Sequence, residues 1–343
     1  MSKEEVKYYQ IAKYKKFANE RYKHMSEINL ASNIKNFGKS KRGTKYYHLI
    51  ECDETNPYNL LNEPKILAEV NSRFKTKAGD KDRVLTNLLS SQACCFNLFS
   101  PLKELENTAL TNKLFSKLLN KEVTVTRIDI EFTPSKEESI GDQSKVGGTD
   151  ADLAVFFDFG KNKKGLILLE FKYIESEFSR CTSYKKKEGI RETCNNLNFY
   201  TKHAEQAKES NRPHCGYMQY ENWELTKKSQ VLDHKIILES PSCPFRFSLN
   251  QLWRNMLLAE KVAKINEIDE FHFWVLCPEK NLALWSNNAE NIYTDFRNIL
   301  TEKGKLAFRK LDIENDFVKF IEENANTEWT KQWIKKFREK YVN

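Results

Sequence analysis

The chain is expected to fold as a mixed α/β domain with helical elaborations, and three observations predict this. Apolar and aromatic residues recur at helical spacing through much of the first 120 positions. A block of strand-forming segments follows between residues 122 and 173. Beyond it lie a long amphipathic helix and a buried apolar strand. No internal repeat and no clear linker interrupts the chain. Residues 1–50, a basic helix and arm, and residues 51–343 are therefore expected to form one unit.

Taken in order, the first 25 residues carry Val6, Tyr9, Ala12, Tyr14 and Phe17 and are expected to be helical, followed by a basic loop or arm over 35–48. Glu63-Pro64 opens a helix to about Lys75, because a first helical turn does not need the N–H that proline lacks. A second helix is expected from Asp80, with Val84, Leu85, Leu88 and Leu89. The next piece, CCFNLFSPL, is too apolar for a surface loop, and Ser100-Pro101 restarts a helix bearing Leu102, Leu105, Ala109, Leu114, Phe115 and Leu118. Residues 122–132 (EVTVTRIDIEF) are rich in β-branched residues and predict a strand; 133–149 predict an exposed loop. ADLAVFFDF and LILLEFKY, joined by GKNKKG, predict a β-hairpin. Residues 184–210 are Lys-rich and partly helical. Residues 249–265 form an amphipathic helix with Leu252, Met256, Ala259 and Ala263 on one stripe, and 271–276 a buried strand. The rest is expected to be helical, ending in a basic amphipathic helix around Trp329–Tyr341.

With 40% apolar and 30% charged residues over 343 positions, the composition is that of a globular protein. No run approaches the ~18 apolar residues of a membrane span, and the N-terminus has no apolar leader core. A cytoplasmic protein without membrane association is the expectation. P-loop and GxGxxG motifs are absent, so no nucleotide-driven motor is visible; the six histidines show no H-x-E, HExxH or HNH-like grouping and are expected to be ordinary surface or core residues. Eight cysteines suit a reducing compartment. Cys94 and Cys95 fill core space. Cys181, Cys194, Cys215 and Cys243 contain no CxxC pair; ordinary buried thiols are the preferred reading, with Zn²⁺ or an Fe–S centre as the alternative.

Charge is unevenly spread. Residues 1–50 hold twelve Lys or Arg against four Glu, a net +8 that equals the charge of the whole chain. Lys39, Lys41, Arg42 and Lys45, beside Tyr46 and Tyr47, are candidate nucleic-acid contacts, since bases attract phosphates and aromatics stack on nucleobases.

The chemistry concentrates elsewhere. Asp152 opens one strand of the expected hairpin, and Glu170-Phe171-Lys172 ends the other. Residues two apart in a strand share a face, so Glu170 and Lys172 lie together. If paired residue numbers sum to about 324, Asp152 lies opposite Lys172 and diagonal to Glu170. Paired carboxylates are the oxygen donors that hard divalent cations require, and such cations stabilise the charge that develops at a phosphodiester. A Glu–Lys pair ending a buried strand is otherwise costly to desolvate. Asp150 has the same parity as Asp152 and is the alternative first acid; Asp152 is preferred because it abuts the apolar run. Gln92 and Gln251 are expected to be capping or surface amides, Glu69 to lie on a solvated helix face, and Glu175 to point away from the site.

GGTDADLAVFF and GLILLEFKY together resemble the metal-binding core of the PD-(D/E)xK nuclease superfamily. RVLTNLLSSQACCFNLFSPL (83–102) and QLWRNMLLA (251–259) are similar to blocks of a group of restriction-type endonucleases within it. No proline precedes the first acid, which is a departure from the motif. The resemblance implies a restriction-endonuclease-like core, a central mixed sheet flanked by helices. It implies that Asp152 and Glu170 ligate Mg²⁺, or Mn²⁺ in its place, with the Phe171 backbone carbonyl as a further ligand. Lys172 would orient or help deprotonate the attacking water. The implied activity is cleavage of DNA to a 5′-phosphate and a 3′-hydroxyl, with a homodimer suited to double-strand cutting. A repair or recombination exonuclease and a catalytically silent DNA-binding module are the alternatives.

Overall fold

The computed structural model describes residues 16–31, 37–40, 43–51, 58–61, 64–76, 80–140, 149–186, 188–195, 221–287 and 290–343. Helix α1 (Lys16–Ala31) precedes strands β1 (Phe37–Lys39) and β2 (Lys45–Ile50); α2 (Pro64–Thr76), α3 (Lys81–Thr86), α4 (Ser91–Phe99) and α5 (Thr108–Leu119) follow. The central strands are β3 (Val123–Phe132), β4 (Ala151–Phe159), β5 (Lys163–Phe171) and β6 (Glu270–Cys277). Between β5 and β6 run α6 (Thr182–Lys186), α7 (Glu188–Asn195), α8 (Glu221–Lys228), α9 (His234–Glu239) and α10 (Leu249–Ile265). The last part holds the two-residue strands β7 (Ser286–Asn287) and β8 (Glu290–Asn291), α11 (Ile292–Asn298), α12 (Glu302–Ala307), β9 (Phe308–Asp312), α13 (Lys319–Asn324) and α14 (Glu328–Tyr341).

Five strands make a mixed sheet in the order β3-β4-β5-β6-β9, with helices on both faces. This is the expected architecture, consistent with a restriction-endonuclease-like core. β3, β4 and β5 pair antiparallel; β5, β6 and β9 pair parallel. Leu153, Val155, Phe157, Ile167, Leu169 and Phe171 pack with residues of α2–α5 and α14 on one face. Ala154, Leu166 and Leu168 pack under α10 on the other. Burial on both faces explains why β5 is an unbroken apolar run.

The β4–β5 turn is tighter than GKNKKG suggests. Phe159 pairs with Lys163, and Gly160 and Asn162 adopt left-handed φ values of 55° and 57° within a three-residue loop. Paired numbers therefore sum to 322, not 324. The shift is even, so every side chain keeps its expected face, but Asp152 now aligns with Glu170 instead of Lys172.

Other expectations change as well. Within the expected basic arm, β1 and β2 form an antiparallel pair with Lys39 opposite Lys45; Lys41 and Arg42, like residues 1–15, lie outside the described residues. The helix from Asp80 stops at Thr86, leaving Leu88 and Leu89 in a buried turn. Residues 101–107 are short 3₁₀ turns, and Leu105 is exposed. α10 is buried on more than its expected stripe, Trp253, Leu257, Leu258 and Val262 included. Phe308–Asp312, expected to be helical, is the fifth strand of the sheet.

Candidate active site

β4 begins, and β3 and β5 finish, at the same end of the sheet. This brings together Asp152 from β4 with Glu170 and Lys172 from the end of β5. Asp152 Oδ2 accepts a hydrogen bond from the Phe171 backbone N–H at 2.7 Å. Lys172 Nζ lies 2.8 Å from Glu170 Oε1. Glu170 and Lys172 are only 3% and 9% exposed, so this ion pair is largely removed from water. A buried pair survives only when its remaining hydrogen-bonding capacity is filled. Helix α10 does that: Gln251 Nε2 donates to Glu170 Oε1 and Asn255 Nδ2 to Glu170 Oε2, both at 2.6 Å.

Gln251, Arg254 and Asn255 occupy positions i, i+3 and i+4 of α10, which stack on one helical face. Gln251 also accepts from the Ser179 N–H at 2.9 Å. Arg254 donates from Nε to Thr149 Oγ1 at 2.8 Å, anchoring the segment that leads into Asp150 and Asp152. Gln251 is thus part of the site's framework and not the surface amide expected. Arg254 and Asn255 carried no sequence signal beyond their place in QLWRNMLLA.

A further carboxylate enters from β3. Glu131 is half-buried, the side chain of Gln92 from α4 hydrogen-bonds it, and Arg73 of α2 donates to its backbone oxygen at 2.8 Å. Gln92 too therefore serves this cluster and does not merely cap its helix. Asp150 is exposed, but its charge acts on both Glu131 and Arg73. Glu175 does not point into solvent: its carboxylate accepts from the Tyr173 N–H at 2.8 Å and its charge acts on Lys172. Glu69 lies on the helix surface, paired with Lys103.

These acids oppose one another. Burial, then the charges of Glu170 and Glu131, push the Asp152 carboxyl well above the usual aspartate range, against the opposing pull of Lys172 and the Phe171 N–H. Burial, with Glu170 and Asp150, pushes Glu131 up to about 7 against Gln92 and Arg73. For Lys172 burial pulls the ammonium down, yet Glu170, Glu175 and Asp152 outweigh it and raise it above its ordinary value. The cluster thus holds more carboxyl groups than its one ammonium can balance, and among the described residues Glu131 Oε1 has no hydrogen-bond partner. Carboxylate oxygens with unmet negative charge suit a hard divalent cation, for which one or two carboxylates plus waters suffice. Among the described residues no three His, Cys, Asp or Glu side chains form a ligating group.

Sizeable concavities lie elsewhere. A cavity of about 380 Å³ lined by Arg127, Phe156, Asp158 and Lys164 sits at the hairpin-turn end of the strands. It lacks the convergent acids, so the chemistry and not the volume locates the site. Of the four scattered cysteines, Cys181, Cys194 and Cys243 are buried. Cys243 N–H donates to the Cys194 carbonyl at 3.0 Å; Cys215 lies outside the described residues.

Fold and site together define a class: an α/β protein that gathers acids and a lysine at one end of a mixed central sheet. The chain belongs to a restriction-endonuclease family, described as Restriction Endonuclease associating with ARP, whose model matches residues 13–342. No curated protein and no solved structure matches it. Among the described residues no helix is long and apolar enough to cross a membrane.

Proposed function

We propose that the chain is a divalent-cation-dependent endonuclease that hydrolyses DNA phosphodiester bonds, built on the PD-(D/E)xK plan. The observation that carries this reading is the meeting of Asp152, Glu170 and Lys172 at one sheet end, with Glu170 gripped by Lys172 and two amides of α10. Membership of a restriction-endonuclease family supports DNA as the substrate. Asp152 and Glu170, with the Phe171 carbonyl, would hold Mg²⁺ or Mn²⁺, which when bound neutralises phosphate charge and acidifies water.

The chain's own groups have separate tasks. Gln251 and Asn255 fix the Glu170 carboxylate so that its oxygens cannot swing away. Lys172 is held charged by Glu170, Glu175 and Asp152, and it offsets the charge that grows on the scissile phosphate. Fixed cations in a water-poor site do this better than solvent, because they need no reorganisation during the reaction. Lys39 and Lys45, cross-strand neighbours on β1 and β2, would contact the backbone farther along the duplex. Cutting both strands would use two copies of the chain.

Purified protein should cleave plasmid DNA with Mg²⁺ or Mn²⁺ and stop when EDTA is added. Lys172→Ala should lower the cleavage rate by at least ~100-fold, the usual effect of losing one transition-state donor. DNA affinity measured by fluorescence anisotropy should change little. Wild-type cleavage rates from a folded Lys172→Ala protein would overturn the reading.

A further inference from the structure

Strand β3 ends against its own pattern. At Glu131 the backbone has φ of 56°, the left-handed region that residues with a Cβ rarely adopt. The flanking pairs Ile130↔Leu153 and Phe132↔Ala151 keep one register, so the strand has not slipped. That register sets Glu131 across from Asp152. Left-handed backbone at such a residue is strained and persists only where its surroundings hold it. Here the holders are identifiable. Arg73 donates from Nε to the Glu131 carbonyl and from Nη2 to Thr133 Oγ1 at 3.1 Å, bracketing the inverted residue. Gln92 takes the carboxylate. Even so, the buried Oε1 has no partner among the described residues, and the charges of Glu170 and Asp150 bear on the same group.

Strain, burial and like charge thus coincide at one residue beside the catalytic pair. A side chain serving only the fold would avoid all three; a glutamine would satisfy Gln92 without the charge. We infer that Glu131 is a further residue of the active site, held by Arg73 and Gln92 so that its charge strengthens the site's attraction for a divalent cation. It acts through its field on Asp152 and Glu170, since no three acids among the described residues form a ligating group. The inference rests on the cation-dependent reading above.

The experiment is Mn²⁺ titration of the full-length protein, with free Mn²⁺ followed by electron paramagnetic resonance and melting temperature measured in EDTA. Glu131→Gln should bind Mn²⁺ about tenfold more weakly, while its melting temperature in EDTA stays equal or rises because a buried, repelled carboxylate is gone. Glu131→Asp keeps the charge, and aspartate tolerates the left-handed region, so it should stay within about threefold of wild type even if the glutamine variant folds poorly. Affinity of Glu131→Gln within twofold of wild type would overturn the inference while leaving the cation-dependent reading intact. So would equal weakening in the aspartate variant. A wild-type protein that binds no Mn²⁺ at millimolar concentration overturns both.

Discussion

Glu170 is a buried carboxylate whose two oxygens face Lys172, Gln251 and Asn255, and each of these partners does something different. Lys172 supplies the opposite charge; the two amides supply direction. Asn255 is 2% exposed and donates to Glu170 Oε2, so bulk water is poorly placed to make good its loss. Hydrogen bonds to a charged group contribute about 1.5–3 kcal/mol, and an abandoned buried acceptor costs more than the bond itself gained. Asn255→Leu, close in volume, should therefore lower unfolding stability in urea by about 1.5–3 kcal/mol and slow DNA cleavage together. If both quantities match wild type, the amide does not hold the glutamate and the site is organised by the ion pair alone.

At the scale of elements, the β4–β5 hairpin decides whether Asp152 and Glu170 face each other, and its register depends on close packing near the turn. Gly165 pairs with Phe157, and a Cβ added at Gly165 would stand 2.0 Å from the Phe157 ring. Phe157 is fully buried, so the ring has little room to yield. Gly165→Ala should destabilise the protein by about 1–3 kcal/mol, the usual cost of overpacking, read as a lower urea midpoint at unchanged slope. A midpoint equal to wild type would mean the ring moves freely and the register is pinned elsewhere. The hairpin, α10 and β6 were legible in the sequence because long apolar runs and helical stripes carry their own period. β9 was not: its buried residues Phe308 and Leu311 are three apart, a helical spacing, in a strand of only five residues. The same division holds within the site. The candidate residues Asp152, Glu170 and Lys172 stood out as charges at the termini of apolar strands. Glu131, Gln251 and Asn255 owe their places to tertiary contacts with β4, β5 and their neighbours, and nothing in IEF announces an inverted φ at its middle residue.

Across the whole molecule the two ends of the described chain close on each other beside the site. Arg21 donates to the Asn343 carbonyl, His24 Nε2 lies 2.8 Å from the Glu339 carbonyl, and Tyr173, next to Lys172, donates from its hydroxyl to the Tyr341 carbonyl at 3.2 Å. His48 of β2 packs against Tyr22 of this clasp, and burial pushes its pKa down to about 4. The sign follows from proton counting. Between pH 4 and 6.5 the unfolded chain holds a proton on this ring that the folded chain lacks, so His48 adds stability as pH rises and removes it as pH falls. One such proton corresponds to about 1.4 kcal/mol per pH unit. Asp152 and Glu131, with raised pKa values, act in the opposite sense over part of the same range, so the raw pH curve of the wild type mixes both. Subtracting a His48→Gln curve, measured by urea unfolding in EDTA from pH 4.5 to 7.5, cancels the acids and isolates the ring. That difference should rise with a slope approaching one proton up to about pH 6.5 and then flatten. Two parallel curves would show that His48 is as easily protonated in the folded protein as in the unfolded one. Acid weakening would then have to come from the ion pairs of the sheet, not from the clasp between α1 and the end of α14.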